Sequence, residues 1–459
     1  MSGLLLVPLL GLDLAIPVLG ALALVTGAAA AARSLPRRWW PALAVTTACL
    51  LVLLRVLPSP DPCVMNAGIY NRAVNFIKSG QPGFTLREAA HALGPVVFQR
   101  DGLTGRIAVR RSYPGGMTFI VNGKPDGSTA APDLLTEIGS MQIALLCHPR
   151  PRKVLVVGMG TGISTGSATV HPGVEEVHVV EIEPLQTEVA RIFAPYNHDV
   201  LRQRMVRVHL DDARRFLLGD RNRYDVIVSE PSNLFVSGMV NLYTVEALRL
   251  AKRRLAPGGI LLQWIHYYQI GERDLLGALA TFREAFPWTT LWMHDSGDAF
   301  MMGTDGPLAV DLAAWEARGR AAGMGRELGR IGMAGPLPLL AFCRLDPEGV
   351  ADHAAGAPLC RDDFPYLEFT TPLVPWNPET TARRRDFLRS LPARAPVPLA
   401  RETAAGRVKL GRIFLDTFHI HRARVEYARA LFLDPGSGEA RRKLKEMEEY
   451  SRPARTNFR

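Results

Sequence analysis

Five short apolar runs between residues 153 and 264 constrain this chain more than any other feature. They read "KVLVVGMG", "EVHVVEIE", "VRVHL", "YDVIVSE" and "GGILLQW", with a helical stretch between one run and the next. A strand with one face in solvent alternates apolar and polar residues; these runs stay apolar, so both faces must be covered. Such runs alternating with helices specify parallel strands in a doubly wound, Rossmann-like α/β sheet. "TLWMHDSGDAFMMGT" near 291–304 reads as a closing hairpin, and "RDDFPYLEF" at 361–369 ends in a further strand.

At 459 residues the chain exceeds one ordinary core, and its apolar residues are unevenly spread. Residues 3–32 and 39–57 are each long enough to cross a bilayer, which takes about 20 apolar residues. Residues 1–58 are therefore expected to form two transmembrane helices. Asp13 and Pro17 in the first suggest a face packed against protein, or a polar residue tolerated near a helix end. "PSPDP" at 58–62 breaks the chain, and 59–92 reads as a helical linker. Residues 93–132 alternate around D-G, P-G-G and N-G turns, which predicts a small antiparallel β domain. The α/β domain spans 133–372, opening with helix-period residues at 133–147 and including a helical stretch at 308–345. A Pro- and Arg-rich linker follows at 373–400. The tail, 401–459, is helical; it resembles a single tetratricopeptide repeat or forms a plain helical hairpin.

The formal charge of +10 comes mainly from scattered arginines, with no interleaved basic and aromatic stripe, so no nucleic acid is expected as partner. Five cysteines show no C-x-x-C pairing, which indicates neither a zinc knuckle nor a disulfide framework; no metal is expected. His419 and His421 mark a surface in a helical pattern. Arg33, Arg37 and Arg38 lie between the two apolar segments, and by the positive-inside rule would place the soluble part outside the cytoplasm.

Three elements follow one another in the α/β region. "VVGMGTG" at 156–162 sets Gly158, Gly160, Thr161 and Gly162 where a strand turns into a helix, allowing a ligand close to backbone N–H groups. Glu181 ends the second strand, where an acid can accept hydrogen bonds from ribose hydroxyls. Asp211 and Asp212 end the third. Alone they would read as a helix N-cap, but the ordered set favours adenosine recognition. In "YDVIVSEPSN" a buried strand delivers Glu230 into a turn of Pro231, Ser232 and Asn233, a place for an acid that holds a ligand.

Together "HPRPRKVLVVGMGTG", "VVEIE", "LDDARRFL", "YDVIVSEPSN", "LAPGGILLQW" and "DDFPYLEF" resemble the spermidine synthase family of aminopropyltransferases, and in particular its membrane-fused bacterial branch. The resemblance covers roughly residues 96–370. It implies transfer of an aminopropyl group from decarboxylated S-adenosylmethionine to an amine, with release of methylthioadenosine. It implies Glu230 as the catalytic acid, Glu181 on ribose, Asp212 on adenine with Asp211 beside it, and Gln263 and Asn233 on the substrate side. The chain departs from the family pattern where acids bind amines: Thr161 replaces the glycine-loop aspartate, Asn233 an aspartate of the turn, and no tyrosine stands near Thr136. The adenosine end thus keeps its acids while the amine end has lost charge. A methyltransferase using intact S-adenosylmethionine and a non-catalytic membrane protein binding an adenosine ligand or polyamine stay open beside it. The expected partners are a small amine, the inner or plasma membrane, a second copy of the chain, and a protein met by the C-terminal helices. A cytoplasmic cofactor argues for a cytoplasmic site, against the loop arginines.

Overall fold

The structure, a computed structural model, describes residues 10–56, 61–68, 85–113, 115–294, 297–376 and 397–451. It divides into two compact units, Met1–Thr129 with Glu183–Val189 and Ala130–Ile182 with Ala190–Arg459.

In the first unit, helix α1 (Leu12–Ser34) contains Asp13–Ser34, the one helical segment among the described residues long and apolar enough to cross a membrane. Its Leu14, Ile16 and Val25 are exposed. Helix α2 (Trp40–Val56) has 17 residues, about 25 Å at the helical rise, against a hydrocarbon core of roughly 30 Å. Of the two spans expected over 1–58, one reaches sufficient length among the described residues. Asp13 stands 3.4 Å from Arg106 Nη2, and Arg106 Nε donates to Asp101 at 2.7 Å. Arg106 is buried, and a buried guanidinium requires such partners; the acid in the apolar segment is half of an ion pair.

Strands β1 (Val96–Asp101), β2 (Arg106–Ser112), β3 (Gly116–Val121) and β4 (Lys124–Ser128) form an antiparallel sheet in chain order. The β3–β4 turn is Asn122-Gly123, with φ of 50° and 81°, the left-handed pair of a two-residue hairpin. A helix at Leu86–Ala92 precedes the sheet, started by a capping box between Thr85 and Glu88. Residues 69–84 of the expected linker lie outside the described residues.

The second unit opens with α3 (Ala131–Cys147). It continues through β5 (Lys153–Val157), α4 (Ile163–Thr169), β6 (Glu176–Glu181), β7 (Val206–Leu210), α5 (Ala213–Gly219), β8 (Tyr224–Ser229), α6 (Val245–Arg253), β9 (Leu255–His266) and α7 (Glu272–Ala285). Then come β10 (Trp288–Met293), β11 (Asp298–Thr304) and β12 (Cys343–Leu345). The sheet order is β12-β10-β11-β9-β8-β5-β6-β7; β5 to β9 pair in parallel and β10 to β12 antiparallel. This is a mixed Rossmann-type sheet, and the 291–304 hairpin is β10–β11. Val154, Val156, Val226 and Val228 enter one buried cluster, Leu155, Val157 and Ile227 the other. Period-two side chains thus fill a core on each face. Helix α3 contributes Met141, Ile143 and Ala144 to the first cluster.

Two segments differ from expectation. At 361–369 the chain forms a loop and a short helix, Leu367–Thr370. Pro365 lacks a ladder donor, and Asp362 is committed to Arg214 Nη1 at 2.9 Å and Thr244 Oγ1 at 2.6 Å. The stretch 308–345 is helical at Leu312–Gly319 and Ala322–Arg330 but ends in β12. Residues 377–396 of the expected linker are outside the described residues. Helices α8 (Ala404–Asp416), α9 (Ile420–Leu433) and α10 (Gly438–Ser451) follow, and their Leu410, Phe414, Tyr427 and Ala440 share the first core cluster with the sheet.

Candidate active site

The sheet reverses its winding between β5 and β8, which are neighbours although far apart in sequence. Ligands of such sheets bind where neighbouring strands diverge in this way, beyond the strands' carboxyl ends. Here β5 leads into the glycine loop and β8 into Glu230. The Glu230 N–H donates to Val157 O at 3.0 Å, and the Gly158 N–H donates to Val180 O at 3.0 Å. Gly158 has φ of 93°, and a Cβ there would lie 3.1 Å from Glu230 O; the close approach of the two loops requires a glycine. Gly160 and Gly162 complete the turn, Gly162 preceding α4.

Glu181 ends β6, is buried, and accepts from the Met159 N–H at 2.8 Å. The strand-end acid is therefore tied to the glycine loop. Asp212 caps α5, its Oδ1 accepting from the Arg215 N–H at 2.9 Å, and Asp211 pairs with the Arg215 side chain. The capping bond weighed from sequence is thus what the Asp212 carboxylate makes.

Glu230 is clasped between two hydroxyls. Ser140 of α3 donates to Oε1 and Ser164 of α4 to Oε2, each at 2.5 Å. Burial pushes this carboxyl up to about 7; the serine donors oppose the rise and the charge of Asp298 adds to it. Asn233, fully buried on the same turn, donates from Nδ2 to Tyr268 Oη at 3.0 Å, and its Oδ1 has no hydrogen-bond partner. Gln263 is not brought to the clasp. It shares the sheet face of Leu261 and Ile265, opposite α3, and donates from Nε2 to Leu242 O at 3.1 Å.

Around Glu230 the fold adds groups that the sequence motifs did not single out. Glu137 Oε1 accepts from Thr161 Oγ1 at 2.6 Å, while its Oε2 is buried without a hydrogen-bond partner. Burial holds Glu137 well above the ordinary carboxylate range; the Thr161 hydroxyl opposes this and the charge of Glu230 reinforces it. Thr136 donates to Asp298 Oδ2 at 2.6 Å and lies 3.2 Å from His294 Nε2. Glu137 and Asp298 thus add two carboxyl groups to the neighbourhood of Thr161 and Glu230. The readable signal was Thr136, Glu137 and Ser140, polar positions at i, i+1 and i+4 ahead of the apolar half of α3.

The fold and site define a Rossmann-type α/β protein with carboxyl groups gathered at its topological switch point. Residues 140–292 match the family model of the spermine/spermidine synthase domain. The chain is similar to the polyamine aminopropyltransferase of Nitrosomonas europaea, 28% identical over 188 residues, 38% of this chain and 56% of that protein. It is also similar to spermidine synthase 2 of Datura stramonium, 30% identical over 243 residues, 49% of this chain and 73% of that protein. The chain belongs to the spermine/spermidine synthase family. It spans little more than half the length of the Nitrosomonas relative. Among solved structures, spermidine synthase of Thermotoga maritima matches 47% of this chain and 73% of its own at 18% identity, with a TM-score of 0.39.

Proposed function

We propose that the chain transfers an aminopropyl group from decarboxylated S-adenosylmethionine to a small amine, releasing methylthioadenosine. The observation that carries this reading is Glu230, a carboxyl raised to about 7 and clasped by two hydroxyls beside the glycine loop. The acceptor nitrogen attacks only when unprotonated. Its lone pair forms the C–N bond as the C–S bond breaks, and sulfur keeps the electron pair. The nitrogen then carries an excess proton, which Glu230 takes; a base poised near neutral pH can both accept and release it.

In this reading Gly158, Gly160, Thr161 and Gly162 face the donor, Glu181 its ribose, and Asp211 and Asp212 its adenine. Asn233 serves the amine side, and Gln263 supports the Leu242 segment from the opposite face. Methyl transfer from intact S-adenosylmethionine is disfavoured, because the site gathers Glu137, Glu230 and Asp298, whose ionised forms would repel the carboxylate of that donor. The exposed apolar side chains of α1 support attachment to a membrane through residues 13–34.

Mass spectrometry of the purified chain incubated with either donor and a panel of amines tests the reading. Methylthioadenosine with a mass-shifted amine is expected, and S-adenosylhomocysteine would overturn it. Glu230→Gln is expected to slow turnover by roughly 100-fold or more while donor binding persists.

A further inference from the structure

Two acceptor atoms in this region have no donor, Glu137 Oε2 and Asn233 Oδ1, and neither has a hydrogen-bond partner among the described residues. Burial alone favours the neutral form of Glu137; a cation at Oε2 favours the carboxylate and gives the unpaired oxygen its partner. Asn233 belongs to the turn that carries Glu230, whereas Glu137 is bonded to the glycine loop through Thr161 at 2.6 Å. The two orphaned acceptors thus belong to different elements: one to helix α3, tied to the glycine loop through Thr161, and one to the turn that carries Glu230.

Resting on the transfer reading above, we propose that Glu137 is the carboxylate that receives the primary ammonium of the adenosyl donor. Thr161 positions it by hydrogen bonding to Oε1. The charge that binds the donor's amine therefore comes from helix α3 and not from the loop. The same carboxylate sets specificity. It attracts a donor whose chain ends in an ammonium alone and repels one that also carries a carboxylate, so the decarboxylated form is selected.

Calorimetric titration of the full chain with decarboxylated S-adenosylmethionine, with intact S-adenosylmethionine and with methylthioadenosine tests this. Methylthioadenosine has the nucleoside and lacks the aliphatic ammonium. Glu137→Gln keeps the shape and the Thr161 hydrogen bond and removes the charge. It is expected to weaken decarboxylated S-adenosylmethionine by roughly 10- to 100-fold, to leave methylthioadenosine unchanged, and to narrow the preference over the intact donor. Adding Thr161→Asp to Glu137→Gln returns a carboxylate to the neighbouring position and is expected to recover most of the affinity. An equal loss for methylthioadenosine would overturn the proposal, since Glu137 would then merely shape the loop. Unchanged donor affinity with a raised KM for the amine would overturn it too, assigning Glu137 to the acceptor. Failure of the unaltered chain to bind any of the three would instead remove the transfer reading itself.

Discussion

Glu230 sits in a balance of burial against two hydroxyl donors, and both sides can be moved. Replacing Ser140 and Ser164 together by alanine removes the bonds that favour the carboxylate. The pH–rate profile of transfer is then expected to shift its midpoint upward by about one unit. Burial also makes Glu230 a stability group. Its value in the folded chain, about 7, lies above the ordinary 4.5, so between these limits the folded state binds more protons than the unfolded. The stability contributed by the neutral form is fully present below pH 4.5 and lost as pH rises through 7. Glu230→Gln should therefore melt higher than the unaltered chain at pH 8, by on the order of 1–3 kcal/mol, and differ little at pH 4.5; paired thermal melts check both. Glu230 was legible because an acid ending a buried strand stands out. Ser140 was not, being 90 positions away and joined to it only by the fold.

At the scale of elements, α4 carries the glycine loop and is seated closely on its neighbour. A Cβ on Gly166 would lie 2.1 Å from the carbonyl oxygen of Asn197, a backbone atom that cannot step aside. Asn197 in turn donates to Thr161 O at 2.9 Å, so the same contact sets the height of the loop. Gly166→Ala is expected to destabilise the chain by about 1–3 kcal/mol and to weaken nucleoside binding; denaturant midpoints and the titrations above measure the two effects. The strands of this region were readable as unbroken apolar runs, because burial on both faces leaves that mark in sequence. The strand expected at 361–369 failed for a local reason. Pro365 and the committed Asp362 outweigh the aromatic residues beside them.

In the molecule as a whole, the C-terminal helices complete the core of the second unit. Leu410, Phe414, Ala423 and Tyr427 join the cluster that also holds Val154 and Val226. Arg407 and Glu426, both buried, are 2.7 Å apart and bind α8 to α9. Ending the chain at residue 400 would uncover the apolar patch at Leu337–Phe342. Such a chain is expected to melt well below the full-length protein; a cooperative transition at the full-length temperature would show the tail to be independent. From sequence the tail reads as a separate module because an Arg- and Pro-rich stretch precedes it, and composition does not reveal which apolar face meets which.

The parallel strands, the glycine loop, the N-G hairpin and the acids at strand ends are written in local pattern, because they rest on periodicity or on what a single backbone position can adopt. Tertiary structure decided which acids meet. Glu137, Glu230 and Asp298 come from a helix, a strand end and a hairpin, and their electrostatic coupling arises from a proximity that local pattern does not encode. It also decided that Gln263 faces away from α3, since a side chain's partner is fixed by the face on which the assembled sheet presents it.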